Sequence, residues 1–166
     1  MIDLQGYTDY FRRIAEKNKM ITGFLKLSTK DLGEASTAIR NGKFAPGSNV
    51  LVLENFEIAQ RAPNRDQCFD LATGLFSIFQ PYDARGKYDL DAIGDETLKI
   101  CRQVEARMWH DTKRPQYDFI KELQKGSFEF EPCHAPLLNM FGWRVFFDFI
   151  AYNPIEYNTN DWSDAV

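Results

Sequence analysis

The first apolar pattern in the chain, over residues 2–20, predicts an amphipathic helix. Its apolar side chains recur every three or four residues, and charged side chains fill the positions between them. Residues 24–27 alternate briefly and are compatible with a short strand or with a connection. A second, short helix is predicted over residues 30–40, because Asn41-Gly42 can end a helix in the left-handed conformation.

Two apolar stretches then predict an antiparallel hairpin. Val50 to Ile58 is rich in Val, Leu, Phe and Ile, and Cys68 to Phe79 has apolar residues on both alternating faces. Turn-forming residues 62–66 separate the two stretches. The faces of the second strand are Phe69, Leu71, Leu75 and Phe79 on one side, and Ala72, Gly74, Phe76 and Ile78 on the other.

A long helix and a second hairpin complete the pattern. The helix is predicted over residues 90–111, and after Pro115 residues 117–124 add one or two turns. Residues 127–131 alternate as a strand, which Pro132 either ends or marks as an edge strand. The connection runs through His134, Pro136 and Asn139, and residues 141–151 form the return strand.

These elements predict an α+β fold in which two antiparallel hairpins form one sheet, packed by the N-terminal helix and the long central helix. The length of 166 residues fits one domain, which we place at residues 1–152. Residues 153–166 are predicted to be a polar tail, acidic through Glu156, Asp161 and Asp164.

Composition narrows the function classes. The 20 Lys and Arg residues against 24 Asp and Glu give a net charge of −4, which argues against phosphate-backbone binding as the main role. No apolar run approaches the roughly 20 residues of a membrane span, and the first 20 residues are too charged for a signal peptide. Three widely spaced cysteines argue against a disulfide framework and favour a reducing compartment.

Several residues have the chemistry of ligands or catalysts, yet none has a convincing pattern. His110-Asp111 and Cys133-His134 could together bind zinc, but two ordinary, partly buried histidines explain them better. Paired carboxylates can do acid–base work, although on a half-exposed strand they more often form its solvent face. The carboxylates concerned are Glu129 and Glu131, with Asp148 as a candidate opposite them.

The remaining candidates also have simpler explanations. Cys101 lies on the apolar face of the long helix, where an inert packing role is favoured over a nucleophile. Lys113-Arg114, with Arg102 and Arg107 upstream, could contact phosphate, and Trp109 could stack on a base. The acidic residues between them favour a solvated helix face instead. We therefore predict no catalytic, cofactor-binding or metal-binding residue.

Two short stretches resemble a known family. They are Ile39 to Gly42, followed by Asn49 to Glu54, and the aromatic strand Gly142 to Phe149. With the order of elements, they resemble small structural proteins of phages and prophages of Bacteroidetes, similar in layout to the tail terminator family of long-tailed phages. The resemblance covers most of residues 2–152.

That resemblance implies a non-enzymatic α+β subunit at the head–tail junction of a virion, assembled in the host cytoplasm. It also implies a homo-oligomeric ring, of which a hexamer is the usual form, in contact with tail tube and neck or connector proteins. It implies no cofactor and no membrane. The alternatives are a small α+β enzyme or ligand-binding domain of unknown substrate, and a nucleic-acid-associated phage protein.

The C-terminal hairpin carries more apolar surface than one sheet face needs. Trp143, Val145, Phe147 and Phe149 alternate with Phe146 and Ile150. We expect the first face to pack under the long helix. The second face is expected to be covered by another helix of this chain or by a neighbouring subunit, and Phe146 is the residue that tests the choice.

Overall fold

The computed structural model describes residues 3–27, 37, 44–64, 67–113 and 118–151. The predicted short helix over 30–40, apart from residue 37, and the predicted tail over 153–166 lie outside them. The helices are α1 (Leu4–Lys17), α2 (Leu90–Asp111), α3 (Asp118–Lys121) and a 3₁₀ turn (Pro136–Leu138). The strands are β1 (Gly23–Lys26), β2 (Val50–Leu53), β3 (Glu57–Asn64), β4 (Gln67–Pro81), β5 (Glu129–Ala135) and β6 (Met140–Ala151).

Both long helices start at an Asp cap. Asp3 accepts a hydrogen bond from the Gly6 N–H at the start of α1, and Asp89 accepts from the first N–H groups of α2. The range predicted for α2 is confirmed. The range predicted for α1 is three residues too long at its end, because Asn18 has extended backbone and its side chain accepts from the Met20 N–H.

The strands form one mixed sheet in the order β1-β2-β4-β6-β5, and β3 pairs with β4. β1 runs parallel to β2, whereas β2 and β3 with β4, β4 with β6, and β5 with β6 are antiparallel. The predicted α+β fold, with two hairpins in one sheet and two helices packed on it, is therefore confirmed. Residues 24–27, left open by the sequence, belong mostly to the parallel edge strand β1.

The first predicted strand is interrupted, which corrects the prediction of one strand over residues 50–58. Residues 54–56 leave the ladder between β2 and β3, and both strands pair with the same edge of β4. The interruption leaves the Leu75 N–H without a strand partner. That N–H donates instead to the hydroxyl of Tyr7, 3.2 Å away in the core. A side chain of α1 thus completes the hydrogen bonding of the sheet.

Both hairpins extend further than predicted. β3 continues through Pro63 to Asn64, into the stretch predicted to be a turn. β5 continues through Pro132 to Ala135, so His134 lies in a strand and not in the connection. Pro132 is tolerated because β5 is the last strand of the sheet, where no further ladder needs its missing N–H. Of the two alternatives for Pro132, the edge strand is correct.

The main core lies between the helices and one face of the sheet. Phe76, Val145, Phe147 and Phe149 are fully buried there against Tyr7 and Phe11 of α1 and Val104 and Met108 of α2. This confirms the face predicted to pack under the long helix. A smaller cluster covers part of the opposite face, formed by Leu27, Val50, Val52, Phe79 and Met140.

Candidate functional site

The two predicted ligand pairs lie at opposite ends of α2. His110 is in its last turn, whereas the His134 ring packs on Phe141, whose own ring packs over Gly94 in the first turns of α2. Sixteen helical residues separate Gly94 from His110, a distance of about 24 Å. Nε2 of His134 lies 3.0 Å from the hydroxyl of Tyr82. Among the residues that the structure describes, no three His, Cys, Asp or Glu side chains are placed to hold a metal ion.

The three carboxylates share the sheet face that is remote from the helices. Glu129 and Glu131 are exposed and pair with Phe146 and Arg144 of β6. Asp148 is two residues from Phe146 on the same face, so it lies diagonal to Glu129 and not directly opposite. Its carboxylate accepts a hydrogen bond of 2.7 Å from Thr73.

Cys101 is fully buried in the main core, as expected for a packing residue, and burial raises the pKa of its thiol to about 12. Cys133 on β5 is half-buried, and burial also raises the pKa of its thiol. Neither environment stabilises the thiolate that a nucleophile requires.

The basic stretch divides into separate contacts. The Arg102 guanidinium lies 3.8 Å from the centre of the Phe130 ring and pairs with Glu105 at 2.8 Å. Trp109 packs against Phe128 at 5.8 Å between ring centres. Arg114 lies outside the described residues. The described part of this stretch is therefore a solvated helix face, except for Arg107, which lines a groove.

This groove, between α1 and α2, is a feature that sequence reasoning missed. The two helices run antiparallel, and a hydrogen bond bridges them at each end. Tyr10 donates to Asp111 at 3.2 Å, and the Asn18 amide donates to Gln103 at 3.0 Å. Between the two bridges the helices leave a groove of about 370 Å³. Ile120 of α3 also lines it, so three helices define the site.

The groove combines an apolar floor with cationic walls. Ile14, Val104 and Ile120 are buried residues that line it. Among the described residues that line it, Arg13, Lys17, Arg107 and His110 have basic side chains, and Asp111 has a carboxylate. Lys and Arg therefore outnumber acidic residues three to one in this part of the lining, although the whole chain has a net charge of −4.

Asp111 organises the end of the groove next to Tyr10. It accepts from Arg107 at 2.8 Å and from Tyr10, and Nδ1 of His110 lies 3.2 Å from its other oxygen. Partial burial raises the pKa of Asp111, but the hydrogen bonds from Arg107, His110 and Tyr10 outweigh that effect and hold its pKa below the ordinary value. Arg107 is correspondingly held in place on the groove wall.

A second unpredicted feature is a buried ion pair on the far face of the sheet. Glu54, at the break between β2 and β3, is 1% exposed and lies 3.1 Å from the Arg144 guanidinium. Glu54 Oε2, Arg144 Nε and the Ser77 hydroxyl have no hydrogen-bond partner among the described residues. The alternating strand pattern did not reveal this pair, because its residues are 90 positions apart in the chain.

The β3–β4 arm is the antiparallel pair formed by residues 57–64 of β3 and 67–73 of β4. On the other side of β4, residues 70–73 pair with β6 as far as Ala151, the last residue of that strand that the structure describes. The described side chains of β3, residues 57–61, are exposed, and Ile58 is 54% exposed. Among the described residues β3 pairs only with β4, so no described strand lies along its outer edge.

On the far sheet face, Phe146 is half-buried, with the Arg144 guanidinium 5.5 Å from its ring centre. Ile150, four residues further along β6, and Leu71, its partner on β4, are half-buried on the same face. The polar Thr73–Asp148 pair lies between them and Phe146, so these apolar positions are separate.

Comparison with models of known protein families finds no match, and comparison with curated proteins also finds none. None of the helices in the described part of the chain is long and apolar enough to cross a membrane.

Proposed function

We propose that the chain is a non-enzymatic structural subunit of a phage tail or tail-like particle, a terminator or neck ring component at the head–tail junction. The observation that carries the proposal is the outer edge of β3, along which no strand lies among the described residues. The proposal includes assembly of identical copies into a ring and contact with tail tube and neck or connector proteins.

An open strand edge presents a row of backbone N–H and C=O groups that can pair with another chain. The other two sheet edges are less suited to this. β1 is only four residues long, and β5 contains Pro132 directly after the exposed Glu131. The centre of β3, Ile58-Ala59-Gln60, has neither proline nor charge. The contrast supports β3 as the edge that meets a neighbouring subunit.

A ring also requires a heterologous contact, in which one patch meets a different patch on the next copy. The outer edge of β3 suits such a contact because its described side chains, residues 57–61, are exposed. Phe146, and separately the Leu71–Ile150 pair, are half-buried apolar positions on the far sheet face that assembly can cover. Both features are compatible with the ring architecture of the family that the sequence resembles.

The test compares two charge insertions of the same chemistry in the full chain. Ile58→Lys places a charge on the outer edge of β3, whereas Leu4→Lys places it at another exposed apolar position, 47% exposed on α1. We expect the unmodified chain to sediment as a closed oligomer of the 19.3 kDa subunit. Ile58→Lys is expected to give folded monomers, and Leu4→Lys to leave the oligomer intact, with circular dichroism as the check on folding.

A folded chain that stays monomeric at every concentration, and that mass spectrometry does not find in particles from the strain carrying its gene, would contradict the proposal. Equal effects of the two lysine substitutions would show that β3 is not the contact.

The groove between α1 and α2 favours the second candidate, a ligand-binding domain, because its volume lies within the range of small-molecule sites. A monomer that binds a small anion at Lys17 and Arg107 would support that candidate instead.

A further inference from the structure

We propose that the groove between α1 and α2 is a docking site for an acidic, aromatic peptide segment, and that its occupant is residues 153–166 of the same molecule. The inference rests on the chemistry of the groove and on the composition and attachment point of this segment. It does not depend on ring assembly or on a phage origin.

The groove selects for negative charge that is attached to an apolar group. Among the described lining residues, the basic Arg13, Lys17 and Arg107 outnumber the acidic Asp111, whereas the floor offers only hydrocarbon. An inorganic anion can pair with the basic side chains of the walls, but it leaves the apolar floor in contact with water. A neutral apolar ligand covers the floor and desolvates the cations without compensation, which is unfavourable.

Residues 153–166 match both requirements. They carry Glu156, Asp161 and Asp164 and contain no Lys, Arg or His. They also contain Tyr157 and Trp162, and Trp162 directly follows Asp161. An indole on the floor with a neighbouring carboxylate on the cationic wall satisfies the two parts of the groove together. The attraction between three carboxylates and the basic side chains of the groove adds to the apolar contact.

The last described residues of β6 lie next to the groove. The Ile150 N–H donates to the Glu122 carbonyl at 3.1 Å, and Leu123 bridges to Phe149. The described chain therefore reaches Ala151 within a few residues of Ile120, which lines the groove. Lys17, at the far end, is seven α1 residues from Tyr10, or about 10 Å further along.

Reach and tethering favour the segment of the same molecule. The eleven residues 152–162 span up to about 36 Å when extended, which is enough to bring Trp162 to either end of the groove. A tether of this length gives an effective concentration in the millimolar range, so weak contacts suffice for occupancy. A segment from another copy lacks that advantage.

The experiment measures hydrogen exchange of residues 153–166 in the full chain by mass spectrometry. We expect slowed exchange in the unmodified protein. Lys17→Glu reverses one wall charge and is expected to speed exchange of the segment by about tenfold. Lys19→Glu is the matched control, since Lys19 is exposed two residues further on and does not line the groove. It is expected to leave the exchange unchanged.

A charge swap tests whether Lys17 interacts with the acidic residues of the segment. Asp161→Lys combined with Lys17→Glu is expected to restore the protection that Lys17→Glu removes. Raising the salt to about 1 M, where the Debye length falls to about 3 Å, is expected to reduce the protection. The far-ultraviolet circular dichroism of each variant should match that of the unmodified chain.

Four results would overturn the inference. Exchange of residues 153–166 at the rate of an unstructured peptide would show that the groove does not hold them. Equal effects of Lys17→Glu and Lys19→Glu would show that the protection of the segment does not come from binding in the groove. Protection that rises with protein concentration would assign the segment to a neighbouring copy. Inorganic phosphate that binds the groove without changing exchange of the segment would indicate a site for small anions instead.

Discussion

Replacing Arg144 by methionine tests whether the buried ion pair stabilises the fold through its charges. Methionine keeps much of the length and the apolar stem of arginine, so the packing of the far sheet face changes little. The substitution leaves Glu54, which is 1% exposed, without its cation. One oxygen of this carboxylate already has no hydrogen-bond partner among the described residues.

Breaking a buried pair by removing one partner costs about 3–5 kcal/mol, because the remaining charge stays desolvated. The Arg144 side chain is 28% exposed, so water reaches this site and the lower end, about 3 kcal/mol, is expected. Proteins of this size have total stabilities of about 5–15 kcal/mol, so the loss is a large fraction of the whole.

Urea denaturation followed by circular dichroism measures the effect. With a slope of about 1–3 kcal/mol per molar urea, the midpoint is expected to fall by about 1–3 M. The control is Arg102→Met. Arg102 also lies over an aromatic ring and pairs with a glutamate, but its side chain is 58% exposed, so its loss is expected to cost less than about 1.5 kcal/mol.

The double variant Glu54→Leu/Arg144→Met removes both charges and is expected to lie within about 1 kcal/mol of the unmodified protein. This recovery distinguishes charge burial from lost packing. If Arg144→Met costs no more than Arg102→Met, or if the double variant is less stable than Arg144→Met alone, the reasoning is wrong.

Two further predictions concern backbone packing and pH. Gly142→Ala is expected to lower the free energy of unfolding by more than about 3 kcal/mol or to prevent folding, because the added Cβ would lie 1.9 Å from a backbone carbonyl oxygen of β4. Gly86→Ala is the control. Its Cβ would have its nearest neighbour 3.5 Å away, so we expect the same urea assay to show little loss of stability. The lowered pKa of Asp111 means that its carboxylate stabilises the folded chain above the ordinary pKa of 3.8 and that this stability is lost as the pH falls through the folded value. Asp111→Asn should therefore be less stable than the unmodified chain at neutral pH, and the difference should shrink below about pH 4; a difference independent of pH would refute the role of the Arg107 contact.

Periodicity revealed most of the elements, since burial of one face imposes a spacing that the sequence must keep. The bounds of α2 and the two faces of β4 follow from that rule, and the structure confirms both. The limits of α1 and of the hairpins do not follow from periodicity. They depend on local hydrogen bonds, such as the one from Met20 to Asn18, that leave little trace in hydrophobic spacing.

The candidate sites, in contrast to the helices and strands, could not be predicted from local sequence patterns. His110 and His134 are close to other ligand-type residues in sequence, yet the length of α2 separates them. The groove between α1 and α2 and the Glu54–Arg144 pair combine residues that are distant in the chain, and no local pattern indicates them. At the break between β2 and β3, the Leu75 N–H likewise donates to Tyr7, a residue of another element.

The class of the fold can be derived from the sequence, because helix and strand periods are local consequences of burying one face. Which elements meet, and therefore where charge becomes buried or concentrated, depends on long-range packing that a local pattern does not encode. Two antiparallel helices over the sheet form a groove whose described lining is mostly basic, in a chain of net negative charge. The same packing buries the Glu54–Arg144 pair and leaves the outer edge of β3 without a partner strand among the described residues.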